Sequence, residues 1–393
     1  MIIFRGMKKI VLIPDSFKGT MSSSQICSLM REAALRHFPS VEVVEIPIAD
    51  GGEGTVDAFL STCRRGEKME ARVQGPYGKP MDSFWGKIGD SAVVEMAACA
   101  GLPLTRENRD PSVTTTYGVG QLVEAAWQEG CRQIVVGLGG SGTNDGGCGM
   151  AAALGVRFLD ALGRDFVPVG GTLKDIARID VSRRNPLVGK ADLVAMCDTG
   201  NPLFGFNGAA YVFAPQKGAD ARMVEELDSG LRHLDKIVQK DLGVDASRIP
   251  GVGAAGGCGF GMVAFLGASV RMGIDMLLEA VGFDSLLEGV DYVFTGEGKV
   301  DGQSLGGKVI SGVARHARQA DVPVIVVAGD VGEDVAEAYD KGVAAVFSTN
   351  RVARDFSKVR FRCMEDLSQT MDNIFRLIKI SEKKTRETIE AGS

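Results

Sequence analysis

Apolar runs that stop at loops pairing glycine with a carboxylate recur along this chain, and the pattern limits it to few folds. Residues 8–14 form such a run ahead of DSFKG at 15–19. Residues 41–48 precede ADGGEGT at 49–55, and 133–137 precede GLGGSGTNDGGCG at 137–149. Residues 192–197 precede DTGNPLFG at 198–205, and 291–295 precede TGEGKVDGQS at 295–304. Largely apolar runs followed by helical spacing read as strands of a parallel α/β sheet. The 52 glycines cluster at these strand ends instead of forming a low-complexity tract. Glycine there lets backbone approach a ligand or take φ > 0, and strand-end loops are where α/β proteins bind ligands.

Helical spacing follows the first loop at Ile26, Leu29, Met30, Ala33 and Ala34, with serines ahead of it as caps. Near residue 68 the texture changes. Segments 69–74, 81–88 and 91–97 read as short antiparallel strands, with GPYGKP at 75–80 as a turn. Helices are expected at about 116–129 and 220–240, and GVGAAGGCGFG at 251–261 reads as a further glycine loop. From 290 the first texture returns: strands at 291–295, 323–329 and 344–348, helices at 307–320, 333–341 and 362–380, then a charged, frayed tail. The expected architecture is two-domain α/β. Residues 1–68 and 286–393 make a discontinuous Rossmann/flavodoxin-like parallel-sheet domain. A mixed α/β domain, 69–285, is inserted, with the ligand cleft at the boundary.

Lys+Arg is 44 and Asp+Glu is 50, so the formal charge is 44 − 50 = −6, and no bulk electrostatic footprint for nucleic acid exists. No run approaches the ~20 apolar residues of a membrane span. Residues 1–14 show no secretory signal, and Met7, where the first strand begins, reads as an alternative start. The eight cysteines form no C-x-x-C pair and have no metal-like histidine neighbours, which fits reduced buried thiols in the cytoplasm.

Two motifs invite other readings. GLGGSG at 137–142 matches the dinucleotide fingerprint, with Asp160 about twenty residues on. The helix it requires would have to begin within TNDGGCG, where glycines are poor helix formers. GQSLGGK at 302–308 fits a phosphate loop except that Val309 stands where Ser or Thr must reach Mg²⁺. Lys308 still opens a helix and suits an anion. His37, His233 and His316 fall on predicted helices away from the glycine loops, which weakens any chemistry built on a histidine base. Ser141 lacks the G-x-S-x-G context of a nucleophile, and Cys148 and Cys258 have no histidine nearby to activate them.

The remaining strand-end groups are Asp15 and Lys18, Asp50 and Glu53, Asp145, Asp198, and Glu297 with Asp301. Glycine turns present N–H groups to phosphate oxygens, carboxylates hold Mg²⁺, and a further carboxylate takes a proton from a hydroxyl. Phosphoryl transfer needs these parts and little else.

In this order the loops resemble the type 1 glycerate kinases. The likeness runs from Met7 to about residue 380. It is carried by PDSFKG (14–19), PIADGGEGT (47–55), GPYG (75–78), EMAACAGL (95–102), GLGGSGTNDGGCGM (137–150), ALGVRFLD (153–160), CDTGNPLFG (197–205), PQKGA (215–219), GAAGGCGFG (253–261), TGEGKVD (295–301) and GK (307–308). The resemblance implies ATP- and Mg²⁺-dependent phosphorylation of D-glycerate, mainly to 2-phosphoglycerate, by a two-domain α/β enzyme. Cys148, Cys258, Thr199 and Gly200 depart from the usual pattern without removing a charged group.

Within those loops chemistry divides the roles. Gly139, Gly140, Ser141, Gly142 and Thr143, with Gly256, Gly257 and Lys308, are assigned to ATP. Asp198, Lys18 and Asp145 are assigned to catalysis, with Asp198 as base because it directly ends a strand. Asp50, Glu53 and Lys217 are assigned to glycerate, and Glu297 and Asp301 to Mg²⁺. A kinase for another small hydroxy acid, such as tartronate or erythronate, would share every loop. An NAD(P)-dependent hydroxy-acid dehydrogenase built on GLGGSG is the alternative from another class, and a non-catalytic binding protein has no need of so many carboxylates.

Overall fold

The structure, a computed structural model, describes residues 6–17, 19–48, 53–62, 66–301, 309–352 and 355–391. It divides into two compact units, one made of Met1–Ala49 with Leu277–Ser393, the other of Asp50–Met276.

The discontinuous unit is built on five parallel strands in the spatial order Val343–Ser348, Val324–Ala328, Tyr292–Thr295, Lys9–Leu12, Glu42–Glu45. Numbered along the chain within this unit, that is the 2-1-3-4-5 order of flavodoxin-like sheets, and its switch point falls between Lys9–Leu12 and Tyr292–Thr295. Val324–Ala328 is buried at every position, which is why it reads as an unbroken apolar run. Helix Ser23–His37 starts in a capping box. Ser22 Oγ accepts from the Gln25 N–H at 3.3 Å, and Gln25 Oε1 accepts from the Ser22 N–H at 2.9 Å. Its buried stripe of Ile26, Cys27, Met30, Ala33 and Ala34 shares a core with Leu367, Met371, Ile374 and Phe375 of the closing helix Cys363–Ala391. That helix runs past the expected end near 380. Glu382 on it accepts the Met7 N–H at 3.0 Å, so the charged segment is tied to the start of the first strand.

The inserted unit carries a six-stranded mixed sheet in the order Ser269–Met272, Asp192–Cys197, Gln133–Gly137, Ser91–Glu95, Pro80–Ile88, Gly66–Gln74. The first four strands are parallel, and the last two add on as an antiparallel meander. A small three-stranded antiparallel sheet, Asp165–Phe166, Arg157–Leu159 and Arg178–Asp180, accompanies it. Helix Thr55–Thr62 packs on the Gly66–Gln74, Pro80–Ile88 and Ser91–Glu95 strands. Residues 50–68 therefore belong with the inserted unit and not with the N-terminal strand that precedes them. Long helix Ala221–Leu242 is capped by Asp220, which accepts the Met223 N–H at 2.8 Å, and ends at Gly243 with φ 68°.

The glycine run 251–261 differs from the expected loop. A helix, Ala254–Leu266, begins within it; inside that helix only Ala255, Gly256 and Gly257 leave the helical region, at φ 58°, 65° and 85°, and Cys258 to Leu266 continues as helix. Helix propensity is overridden by tight packing: a Cβ at Gly261 would lie 2.5 Å from the Gly146 carbonyl oxygen.

Candidate active site

In the inserted unit the four parallel strands end level with one another. Glu95 is registered with Gly137, Gly137 with Met196, and Cys197 with Met272. With strands spaced ~4.8 Å apart, the loops leaving those ends start within about 15 Å of each other. Glu95, Leu138, Asp198 and Gly273 stand at these ends, the edge of an α/β sheet where ligands bind.

The loop after Gln133–Gly137 is the most developed of these. It is pinned to the chain at 100–102, where the Leu102 N–H donates to Gly140 O and the Gly142 N–H to Ala100 O, both at 2.8 Å. Thr114 Oγ1 donates to Gly142 O at 3.0 Å. Gly140, at φ 70°, is exposed, and Gly139 is half-buried. Among the described residues no acceptor takes the N–H groups of Gly139, Gly140 or Ser141. Consecutive unspent N–H groups in a turn are what an anion's oxygens require.

Beneath the loop lies Lys217, which is 2% exposed. It ends the short Pro215–Lys217 turn, and its Nζ donates to Ser141 Oγ at 2.8 Å and to Thr143 O at 2.7 Å. Burial lowers its pKa to about 7 against the pull of Asp145 and Cys258 in the other direction. The sequence assigns Lys217 to glycerate, a role that asks for exposure, so its burial is a finding of the structure. Thr143 Oγ1 and both ends of the Asn144 amide are buried without hydrogen-bond partners among the described residues. Asn144 was not singled out in the sequence, and only its place between Thr143 and Asp145 pointed to it.

Asp145 is fully buried and its carboxylate serves two helix starts. Oδ2 accepts from the Thr116 N–H at 2.7 Å, Thr116 Oγ1 at 2.8 Å and the Gly149 N–H at 3.2 Å, while Oδ1 accepts from the Gly147 N–H at 3.1 Å. Thr116 precedes helix Tyr117–Gln128, and Gly147 precedes helix Cys148–Ala153. Desolvation pushes the Asp145 pKa up, and these hydrogen bonds oppose it. The helix after GLGGSG thus begins only at Cys148, six residues beyond Gly142, unlike the helix opened directly by a dinucleotide fingerprint.

Gly256 and Gly257 lie against the same loop from below. A Cβ at Gly256 would sit 2.1 Å from Thr143 O, and Gly256 O accepts the Gly146 N–H at 3.0 Å. Cys258 and Cys148 are fully buried beside Asp145, which helps push both thiols up after burial itself. Seven cysteines are free among the described residues.

Glu95, absent from the sequence-derived site, ends its strand 3% exposed. It accepts the Val56 N–H at 3.0 Å and the Gly54 N–H at 3.4 Å, at the start of helix Thr55–Thr62. Burial raises its pKa. An acidic residue closing the apolar run SAVVE was the signal that could have marked it. Glu53, just ahead of this helix, is exposed. Asp198 accepts the Gly273 N–H at 3.0 Å, linking two adjacent strand ends, and is partly exposed.

In the discontinuous unit, Asp15 and Glu297 follow the two strands that flank the switch point. The Asp15 N–H donates to Gly296 O at 2.8 Å, and Asp15 and Glu297 are each 9% exposed. Asp301 follows the Lys299–Val300 strand, with Lys299 Nζ at 3.4 Å. Lys18, Asp50 and Lys308 lie outside the described residues, as does all of GQSLGGK. The three histidines bind protein groups: His37 Nε2 lies 2.8 Å from Asp372, His233 Nε2 2.7 Å from Ile176 O, and His316 Nδ1 2.6 Å from Asp284.

The loop's unspent N–H groups fit phosphate oxygens. Among the described residues no three His, Cys, Asp or Glu side chains gather around one point. A nucleotide-bound Mg²⁺ asks for less, one or two carboxylates, and Glu297 and Asp301, both on the discontinuous unit, are residues of that type. No helix among the described residues is long and apolar enough to cross a membrane.

A flavodoxin-like parallel sheet, a second α/β unit inserted into it and an anion-ready glycine loop at a strand end define a two-unit α/β protein with the makings of an anion site. The glycerate kinase family profile matches residues 10–379. A glycerate kinase of Halalkalibacterium halodurans is 44% identical over 345 residues, 87% of this chain and 90% of its own. The glycerate 2-kinase of Escherichia coli K12 is 42% identical over 343 residues, 86% and 90% of the two chains. A crystal structure from Salmonella typhimurium LT2, provisionally identified as glycerate kinase 2, superposes with a TM-score of 0.81 at 37% identity, covering 96% of this chain and all of its own. The chain belongs to the glycerate kinase family and is a kinase.

Proposed function

We propose that this protein transfers the γ-phosphoryl group of ATP to D-glycerate, forming 2-phosphoglycerate with Mg²⁺ as cofactor. The observation that carries the reading is the loop Gly139–Thr143. It leaves a parallel strand with the N–H groups of Gly139, Gly140 and Ser141 unspent, and a buried lysine braces it from below. Such a loop holds phosphate oxygens through backbone dipoles fixed before the ligand arrives, and most of phosphoryl-transfer catalysis is this kind of positioning.

Asp198 is the proposed base. It ends a strand directly, is partly exposed and accepts the Gly273 N–H, and a carboxylate so placed is of the type that takes the proton of a glycerate hydroxyl. Asp145 supports the site from within, with four donors already on its carboxylate. Gly256 and Gly257 act by seating the phosphate loop. Glu297 and Asp301 would hold Mg²⁺, which when bound neutralises charge on the phosphates. Glu53 and Asp50 are assigned to the glycerate hydroxyls, and Lys18 and Lys308 to anionic charge. The free thiols suit a reducing compartment such as the cytoplasm.

ADP release from ATP that depends on D-glycerate and Mg²⁺ tests the proposal, and a panel of other small hydroxy acids tests its specificity. Asp198→Asn should lower kcat by about 10²–10⁴-fold while leaving the unfolding midpoint nearly unchanged. A near wild-type rate would remove Asp198 from the role of base.

A further inference from the structure

The Lys217 side chain is too deeply buried to meet a substrate, and both of its hydrogen bonds go to one loop. Its Nζ holds Ser141 Oγ at 2.8 Å and Thr143 O at 2.7 Å. Ser141 itself is 8% exposed, and its hydroxyl donates to no group among the described residues. An ammonium has three donors and no acceptor, so a hydroxyl bonded to it must accept, and its own hydrogen points elsewhere. The remaining direction for that hydrogen is away from Lys217, on the loop whose Gly139, Gly140 and Ser141 N–H groups are unspent.

We propose that Lys217 is a positioning residue: by donating to Ser141 Oγ and Thr143 O it turns the Ser141 hydroxyl hydrogen outward, so that Ser141 donates to a phosphate oxygen of the nucleotide alongside the loop's N–H groups. This rests on the reading of residues 139–143 as the phosphate loop, and it replaces a substrate-contacting role for Lys217. The arrangement has a consequence for pH. With its pKa near 7, Lys217 titrates in the working range. The groups around it are Asp145, whose charge favours the ammonium, the buried thiols of Cys258 and Cys148, which burial pushes up, and Arg109 on the surface, whose guanidinium reaches Gln216 O at 3.5 Å. Once deprotonated, the amine keeps two N–H donors and gains a lone pair, so the Ser141 hydrogen is no longer held outward and can turn inward to it. Phosphate affinity owed to Ser141 is therefore present below about pH 7 and fades above it.

The test is equilibrium binding of ADP to the intact protein, measured by titration calorimetry between pH 6 and 8.5, for wild type, Ser141→Ala, Lys217→Met and the double variant. D-glycerate binding is measured in parallel. The ligand's own titration cancels in the ratio of wild type to Ser141→Ala. We expect Ser141→Ala to weaken ADP binding about tenfold at pH 6, the scale of one hydrogen bond to a charged group, with the ratio shrinking toward unity at pH 8.5. In the Lys217→Met background Ser141→Ala should cost little more. A pH-independent ratio, or an equal loss in the Lys217→Met background, would show that Ser141 acts without Lys217 and would overturn the proposal. So would a Lys217→Met protein that loses D-glycerate binding and keeps ADP. If Lys217→Met does not fold, the pH dependence of the wild-type to Ser141→Ala ratio decides alone. Wild type that fails to bind ADP at any pH would sink the phosphate-loop reading itself, an outcome distinct from all of these.

Discussion

The sequence assigns Asp145 to catalysis, and its full burial gives it a supporting task instead. Its carboxylate accepts four hydrogen bonds from Thr116, Gly147 and Gly149 and so fixes the starts of two helices. Replacing it with Ala leaves buried donors unsatisfied, each at about 1–3 kcal/mol. Asp145→Ala should therefore lose about 3–5 kcal/mol of stability in urea denaturation. A loss below about 1 kcal/mol would show that the carboxylate is dispensable to the fold. The strand-end positions of Asp198 and the glycine loop were legible because they directly follow apolar runs. The burial of Lys217 was not, since a lysine between Gln216 and Gly218 carries no local sign of an interior partner 76 residues away at Ser141. The same holds for Gly256, whose need for glycine comes from Thr143 O at 2.1 Å from a would-be Cβ.

At the scale of elements, the strands and the long helices were readable from periodicity and caps, because their burial pattern is written in consecutive residues. The helical continuation Cys258–Leu266 was not, because its glycines answer to packing against residues 146 and 147. The contact of helices Ser23–His37 and Cys363–Ala391 was equally hidden. It carries a polar clasp in which Asp372 accepts from His37 Nε2 at 2.8 Å, Arg376 at 2.9 Å and Arg36 at 3.1 Å. The Arg376 and His37 bonds hold the Asp372 pKa far below its ordinary value. For a carboxylate with a depressed folded pKa, the stabilisation is complete above the unfolded value of about 3.9 and is lost as pH falls through it toward the folded one. Wild type should therefore lose stability more steeply than Asp372→Asn between pH 5 and pH 3, read as the shift in thermal midpoint. Parallel acid dependence of the two proteins would assign the clasp no energetic part.

For the whole molecule, the expectation of an inserted unit rested on a change of texture near 68. The division lies at residue 49 because helix Thr55–Thr62 finds its partners on the strands that follow it, and Glu95 holds its first turn. The inserted unit has its own core, from Trp85 and Val94 to Phe260 and Phe265, drawn from one continuous stretch. The other core needs both chain ends, Ile10 and Met30 with Phe294 and Phe375. Residues 50–276 expressed alone should unfold cooperatively with native-like helix content, whereas 277–393 alone should not. Absence of a cooperative transition in 50–276 would contradict that independence. The central claim, transfer from ATP to the 2-position of D-glycerate, is tested most directly by supplying Mg-ATP and D-glycerate and passing the product to enolase with no phosphoglycerate mutase present. ADP release followed by phosphoenolpyruvate is the predicted result. ADP release without phosphoenolpyruvate would place the phosphate on the 3-position, and no ADP release at all would contradict the proposed reaction.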